Sequence, residues 1–148
     1  MSLLVDDIAA DLAARIAGIT VANGYRTDIG STVFAGRRRL DDSHIPCAVI
    51  VEGEDTPTAQ QLGKVRIEAR YAVEGVASCD PDDPNDVGRA IVADIKQAIW
   101  SGDITFGRRV VSIDYRGRTI APREDGAAMV SAAVEFSLSF AETLASGG

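Results

Sequence analysis

Few residues in this chain have the types and spacing that chemistry requires. His44 is the single histidine, and Asp41, Asp42 and Ser43 precede it directly. A histidine serves as a general base when it reaches a nucleophile and a carboxylate orients it. Neighbouring loop residues rarely point at one another in that way, so His44 reads as a solvated loop residue beside Pro46. No Gly-x-Ser-x-Gly elbow, phosphate-binding glycine loop or His-Glu-x-x-His helix occurs. No catalytic residue is assigned, and the chain is read as a non-enzyme.

Metal and cofactor chemistry is equally thin. Asp80, Asp82, Asp83 and Asp86 could attract a hard cation. Pro81 and Pro84 break the register of a calcium loop, however, and neither a central glycine nor a closing glutamate is present. The run reads as a solvated acidic turn that leads into a helix, with Asn85 or Asp86 as its cap. Cys47 and Cys79, with one histidine, fall short of the four ligands of a structural zinc site and are expected to be reduced. No metal or cofactor is expected.

Arg37, Arg38 and Arg39 form the one dense basic cluster. Three guanidiniums can grip phosphates or carboxylates, but no aromatic residues interleave with them and Asp41 and Asp42 offset their field. A solvated loop comes first among the readings, contact with acidic residues of a partner protein second, and nucleic acid last. A second charged pattern, Arg66, Glu68 and Arg70, alternates in sign along a strand, and Arg116 and Arg118 with Glu135 continue it on neighbouring strands. Such rows form cross-strand pairs on a solvated sheet face, or fix the register of a docked subunit.

The elements that position these residues follow from periodicity. The 148 residues fit one domain, placed at 1–145 with a frayed tail at 146–148. Hydrophobic residues at 46% and charged residues at 25% are ordinary globular values, so a core can form without staples. The net charge of −7 repels nucleic acid and anionic membranes. The first residues lack the basic start and apolar centre of an export signal, and no apolar run approaches the roughly 20 residues of a membrane span. A soluble protein made in the cytoplasm is the expectation.

Leu4, Ile8, Leu12 and Ile16 recur every fourth residue and predict a helix over 2–18. The stretch 22–36 carries turn residues at Asn23-Gly24 and apolar residues at Tyr25, Ile29, Val33 and Phe34, which predict a small hairpin-like excursion. A short strand at 48–52 and a polar loop at 53–63 follow. Strict alternation from Val65 to Glu74 predicts a half-buried strand. A second helix runs to Trp100, and strands at 108–118 and 127–141 are joined by a hairpin loop at 121–126. The fold class expected is α+β, a two-layer sandwich of a mainly antiparallel sheet of about four strands with two helices on one face.

The order of elements, the 22–30 turn region, the Gly36-Arg37 turn, Asp94-Ile95 in a helix running to Trp100, and the closing strand after Gly126 resemble the tail terminator (tail completion) proteins of long-tailed bacteriophages and prophages. That resemblance implies a structural protomer of a hexameric ring at the head-proximal end of the tail tube, in the virion tail once assembly in the host cytoplasm is complete. It implies contacts with its own copies, the tail tube protein and a head completion or connector protein, with DNA only passing through the lumen and no membrane contact. An acidic ring suits passage of DNA without adhesion. The candidate interface residues are Arg37, Arg38, Arg39, Asp41, Asp42, Arg66, Glu68 and Arg70. A neck or head-to-tail joining protein is the nearest alternative, and a small ligand-binding domain or enzyme the more distant one.

Overall fold

The computed structural model describes residues 3–36, 42–122 and 128–146. It holds two helices, α1 (Leu4–Ala17) and α2 (Pro84–Trp100), and five strands: β1 (Val33–Ala35), β2 (Cys47–Gln61), β3 (Lys64–Ser78), β4 (Ser112–Pro122) and β5 (Met129–Thr143). They form one sheet in the order β1-β2-β3-β5-β4, antiparallel except where β1 runs parallel to β2. α2 lies across β3, β4 and β5, and α1 packs on α2 and on the β1 side. This is the expected α+β architecture, with five strands in place of about four.

Periodicity explains the core. Val65, Ile67, Ala69, Tyr71 and Val73 of β3 are buried, as are Val130, Ala132, Val134, Phe136, Leu138 and Phe140 of β5. Their rows are in register, Ile67 with Phe140, Ala69 with Leu138, Tyr71 with Phe136, Val73 with Val134. Above them sit Ile91, Ile95, Ala98 and Ile99 of α2, with Ile8, Leu12 and Ile16 of α1 behind. Side chains every second residue on strands and every third or fourth on helices thereby close one apolar layer.

Four segments depart from the sequence reading. The 22–36 excursion is no hairpin: 3₁₀ turns at Val21–Asn23 and Ile29–Ser31 lead into β1, whose pairing with β2 is parallel. Residues 53–61, expected as loop, continue β2 with register shifts between Glu52 and Asp55 and between Pro57 and Ala59. Every residue from Glu52 to Gln61 is exposed, so no alternation marks the strand. α2 starts at Pro84 with Asp83 at its N-cap, earlier than Asn85 or Asp86, because proline fits the first helical position. β4 starts at Ser112 and not near 108, because Phe106, Gly107 and Arg108 hold positive φ and turn the chain so that Phe106 is buried.

A buried carboxylate ties the 22–30 region to α2. Asp94 has no solvent exposure. It accepts hydrogen bonds from the backbone N–H of Arg26 at 3.1 Å, the backbone N–H of Thr27 at 2.8 Å and the Thr27 hydroxyl at 2.8 Å. The loop then folds back on α1. The Gly30 N–H donates to the Ile19 carbonyl at 2.9 Å, and a Cβ at Gly30 would lie 2.4 Å from the Ile16 carbonyl oxygen, so only glycine fits.

Arg15 ties the other end. Its guanidinium donates to the carboxylate of Asp11 at 2.8 Å, to the Ile99 carbonyl at 3.0 Å and to the Asp103 carbonyl, and lies 4.0 Å from the Phe106 ring centre. Asp103 organises the following turn by accepting from the Thr105 hydroxyl, the Gly107 N–H and the Thr105 N–H. Those bonds, the Thr105 hydroxyl first, lower its pKa to about 2.

Two outcomes follow for stability. Asp94→Ala strands two backbone N–H groups and a hydroxyl, and urea unfolding is expected to show a loss of about 3 kcal/mol, with Asp94→Asn losing roughly half as much. A loss below about 1 kcal/mol for Asp94→Ala would contradict the clamp. Asp103, its folded pKa depressed, adds stability that is complete above the unfolded value of 3.8 and is lost as pH falls through about 2. Asp103→Asn is therefore expected to flatten the fall in stability between those values, measured by denaturant titration at stepped pH.

Candidate protein-interaction surface

The sheet face away from the helices is polar, and β3 sets its pattern. Arg66, Glu68 and Arg70 point opposite to the buried row, as the alternation requires. Glu68 registers with Ser139 and Arg70 with Ser137 on β5, while Ser137 registers with Asp114 on β4. Arg116 sits in a bulge between Tyr115 and Gly117, where Gly117 has φ +138°. From there its guanidinium donates to the Ser137 hydroxyl at 3.0 Å and to the Glu68 carboxylate. A side chain on the edge strand thus crosses β5 to reach β3, and the bulge provides the extra reach. The same bulge puts Arg118 in register with Val134, out of the polar row expected to include it.

Of the candidate interface residues, the structure brings Glu68, Arg66 and Arg70 onto one face and occupies Glu68 with Arg116. Among the described residues, Arg66 and Arg70 make no ion pair and stay exposed. Arg70 borders a shallow depression of about 190 Å³ lined also by Val51, Gly53, Tyr71, Ala72 and Glu135. The Tyr71 hydroxyl donates to Glu52 at 3.4 Å, and burial, followed by the charges of Glu52 and Asp55, pushes its pKa far up, so it stays protonated. Arg37, Arg38, Arg39 and Asp41 lie outside the described residues, and Asp42 opens a short 3₁₀ turn, Asp42–His44. His44 is half-buried, not solvated as expected, and its ring meets Phe34 edge-on at 5.5 Å.

Three further features take their form only in the folded chain. β1 covers β2 only from Ala48 to Ile50, and among the described residues no strand pairs with the outer edge of 51–61. That arm carries Glu52, Glu54 and Asp55, and Pro57 and two register shifts interrupt it, as suits an edge protected from indiscriminate pairing. At its tip Leu62 is 98% exposed. Across the sheet, an aromatic series runs Tyr71, Phe136, Trp100, Tyr115 with ring centres 5.8, 6.0 and 6.1 Å apart. It ends in an open recess of about 350 Å³ lined by Lys96, Trp100 and Tyr115, with the Lys96 ammonium 4.5 Å from the Tyr115 ring centre. Among the described residues, no group of three or more His, Cys, Asp or Glu could hold a metal ion, and neither Cys47 nor Cys79 is part of a disulfide. No helix among them is long and apolar enough to cross a membrane.

The fold is similar to that of a chain in the virion of a native gene transfer agent particle. The TM-score is 0.52 at 12% sequence identity, over 94% of this chain and 92% of that one. No family model matches the sequence, and no curated protein matches it. At that identity the likeness is one of fold, and it spans nearly all of both chains.

The Arg116 bridge has a measurable size. A double-mutant cycle with Arg116→Ala and Glu68→Ala is expected to give a coupling of about 0.5–1 kcal/mol in urea unfolding, reduced by salt, since both side chains are partly exposed. Zero coupling at low salt would mean that the two do not pair in solution.

Proposed function

We propose that the protein is a structural component of a phage or phage-like virion that caps the head-proximal end of the tail tube, stops its polymerisation and presents a surface for head joining. The observation that carries this reading is the likeness, across almost the whole of both chains, to a chain of a gene transfer agent virion. The motifs that resemble tail terminators add to it: the 22–30 region and Asp94 are one unit, joined by buried hydrogen bonds.

In this reading the protomers form a hexameric ring. The exposed Arg66 and Arg70 of the open sheet face, with Glu68 beside them, and the segment containing Arg37, Arg38, Arg39, Asp41 and Asp42 meet neighbouring copies or the tube. The net charge of −7 lets DNA pass through the lumen without adhering. A heterologous contact that closes on itself leaves two unlike ring faces, one for the tail tube protein and one for the head completion or connector protein.

Deleting the gene from the phage or prophage that carries it, inducing lysis and imaging the particles by electron microscopy tests the proposal. Overlong headless tubes, returned to normal length by the gene supplied in trans, are expected. Tails of normal length lying free beside filled heads would assign the protein to head-to-tail joining instead, and unaltered virions would overturn both roles.

A further inference from the structure

The two margins of the sheet carry the same irregularity. Among the described residues, no strand pairs with the outer edge of β4 or with that of β2 beyond Ile50. Unpaired strand edges are templates for another strand. On β2 a bulge places Gly53 and Glu54 between Glu52 and Asp55, where β3 has Arg70 alone between their partners Tyr71 and Ala69. On β4 a bulge places Arg116 and Gly117 between Tyr115 and Arg118, where β5 has Glu135 alone between Phe136 and Val134.

Laid side by side, the two edges match in one register. With Arg118 opposite Glu52 and Tyr115 opposite Asp55, each strand holds one extra residue between the same two rungs, and the bulges compensate. Strand direction agrees, because β2, β3, β5 and β4 alternate, so β2 of a second molecule in the same orientation runs antiparallel to β4. The peptide groups agree as well. The Gly36 N–H donates to the Ile50 carbonyl, so the Ile50 peptide groups face outward. Alternation along the row Ile50, Val73, Val134, Arg118 leaves those of Arg118 facing outward at the other margin.

Charge selects the same register. Glu52 and Asp55 share rows with the buried Tyr71 and Ala69, and Tyr115 and Arg118 with the buried Phe136 and Val134, so all four lie on the helix side of the sheet. Arg118 then meets Glu52, and Lys96, its ammonium 4.5 Å from the Tyr115 ring centre, meets Asp55. Arg66 and Lys64 register with Ala59 and Gln61, beyond Pro57, which has no N–H to extend a ladder. On the open face Asp114 falls opposite the uncharged Thr56. Two β2 edges would set acid on acid here, and two β4 edges would set Arg118 and Lys96 against their like.

We propose that β4 of one copy pairs with residues 52–56 of a second copy through these facing bulges, so that the sheet continues from molecule to molecule. The two edges are different surfaces, so the contact is heterologous, and the chain of contacts ends only when a ring closes. The pairing deepens the ring in the proposed function and relies on that reading for closure alone.

Charge exchange in the purified full chain tests it. In sedimentation equilibrium, Glu52→Arg and Arg118→Glu are each expected to self-associate at least about tenfold more weakly than the parent, with unchanged melting temperatures. An equimolar mixture of the two is expected to associate as the parent does, because the reversed β2 edge of one variant meets the reversed β4 edge of the other while their unaltered edges still match. In a Cys79→Ser background, Glu52→Cys/Arg118→Cys is expected to give a ladder of disulfide-linked species under mild oxidation, and the control pair Gln60→Cys/Arg118→Cys none. A parent chain that stays monomeric, a mixture that associates no better than its folded components, or equal ladders from both pairs would overturn the pairing. The gene deletion reads the other claim: recovery on mixing with unaltered virions overturns the virion role and leaves the pairing standing, and altered tails without recovery do the reverse.

Discussion

The carboxylate of Asp94 sits fully buried on α2 and accepts hydrogen bonds from a loop 67 and 68 residues earlier in the chain. A buried charge is tolerable only when hydrogen bonds replace its lost water, and the Arg26 and Thr27 N–H groups and the Thr27 hydroxyl do so. The Arg26 guanidinium at 3.6 Å adds a cation from the solvent side. The path of the described residues from α1 to β1 follows from this anchor. It fixes the loop over α2, the loop brings Gly30 against the carbonyls at the end of α1, and the chain leaves in the direction that lets β1 run parallel to β2. Arg15 makes the second tie, from α1 to the end of α2 and the 103–111 turn. Two helices that contact the sheet unequally are thereby locked into one layer.

With that layer locked, the other side of the sheet is free for contacts. Helices cover one face, and the remaining face carries hydroxyls and charges held in place by the Arg116 bridge. The two margins differ. One is the open acidic edge of β2, ending in an exposed leucine, and the other is β4, flanked by an aromatic recess. Unlike margins on a single protomer are what a heterologous, head-to-tail contact uses.

How much of this could be read from residues alone depended on burial. β3 and β5 are half-buried along their length, so alternation revealed them and even the correct inward row, Val65 to Val73 and Val130 to Phe140. The outer half of β2 is exposed on both faces, and Gly53 and Pro57 in it look like loop residues, so its strand character comes only from pairing with β3. β1 has three residues and a parallel partner far along the chain, beyond the range of local pattern. Asp94 did leave a signal, a carboxylate on the helix face shared by Ile91, Ile95 and Ala98, although its partners Arg26 and Thr27 were not identifiable from spacing. The recess was hidden because Lys96, Trp100 and Tyr115 come from two elements whose contact is tertiary. The alternating charges of β3 were legible as a face. That Arg116 would join them while Arg118 would not depended on a bulge at Gly117.

A clamped core is expected to present its two sheet margins for assembly. Hydrogen exchange with mass spectrometry, comparing the free protein with the protein bound to purified tail tubes, reads this most directly. Amides of 51–63 and of β4 are expected to become protected on assembly, while those of 26–30, already held by Asp94, are expected to exchange slowly in both states. Protection confined to the helices, or fast exchange at 26–30 in the free protein, would contradict it.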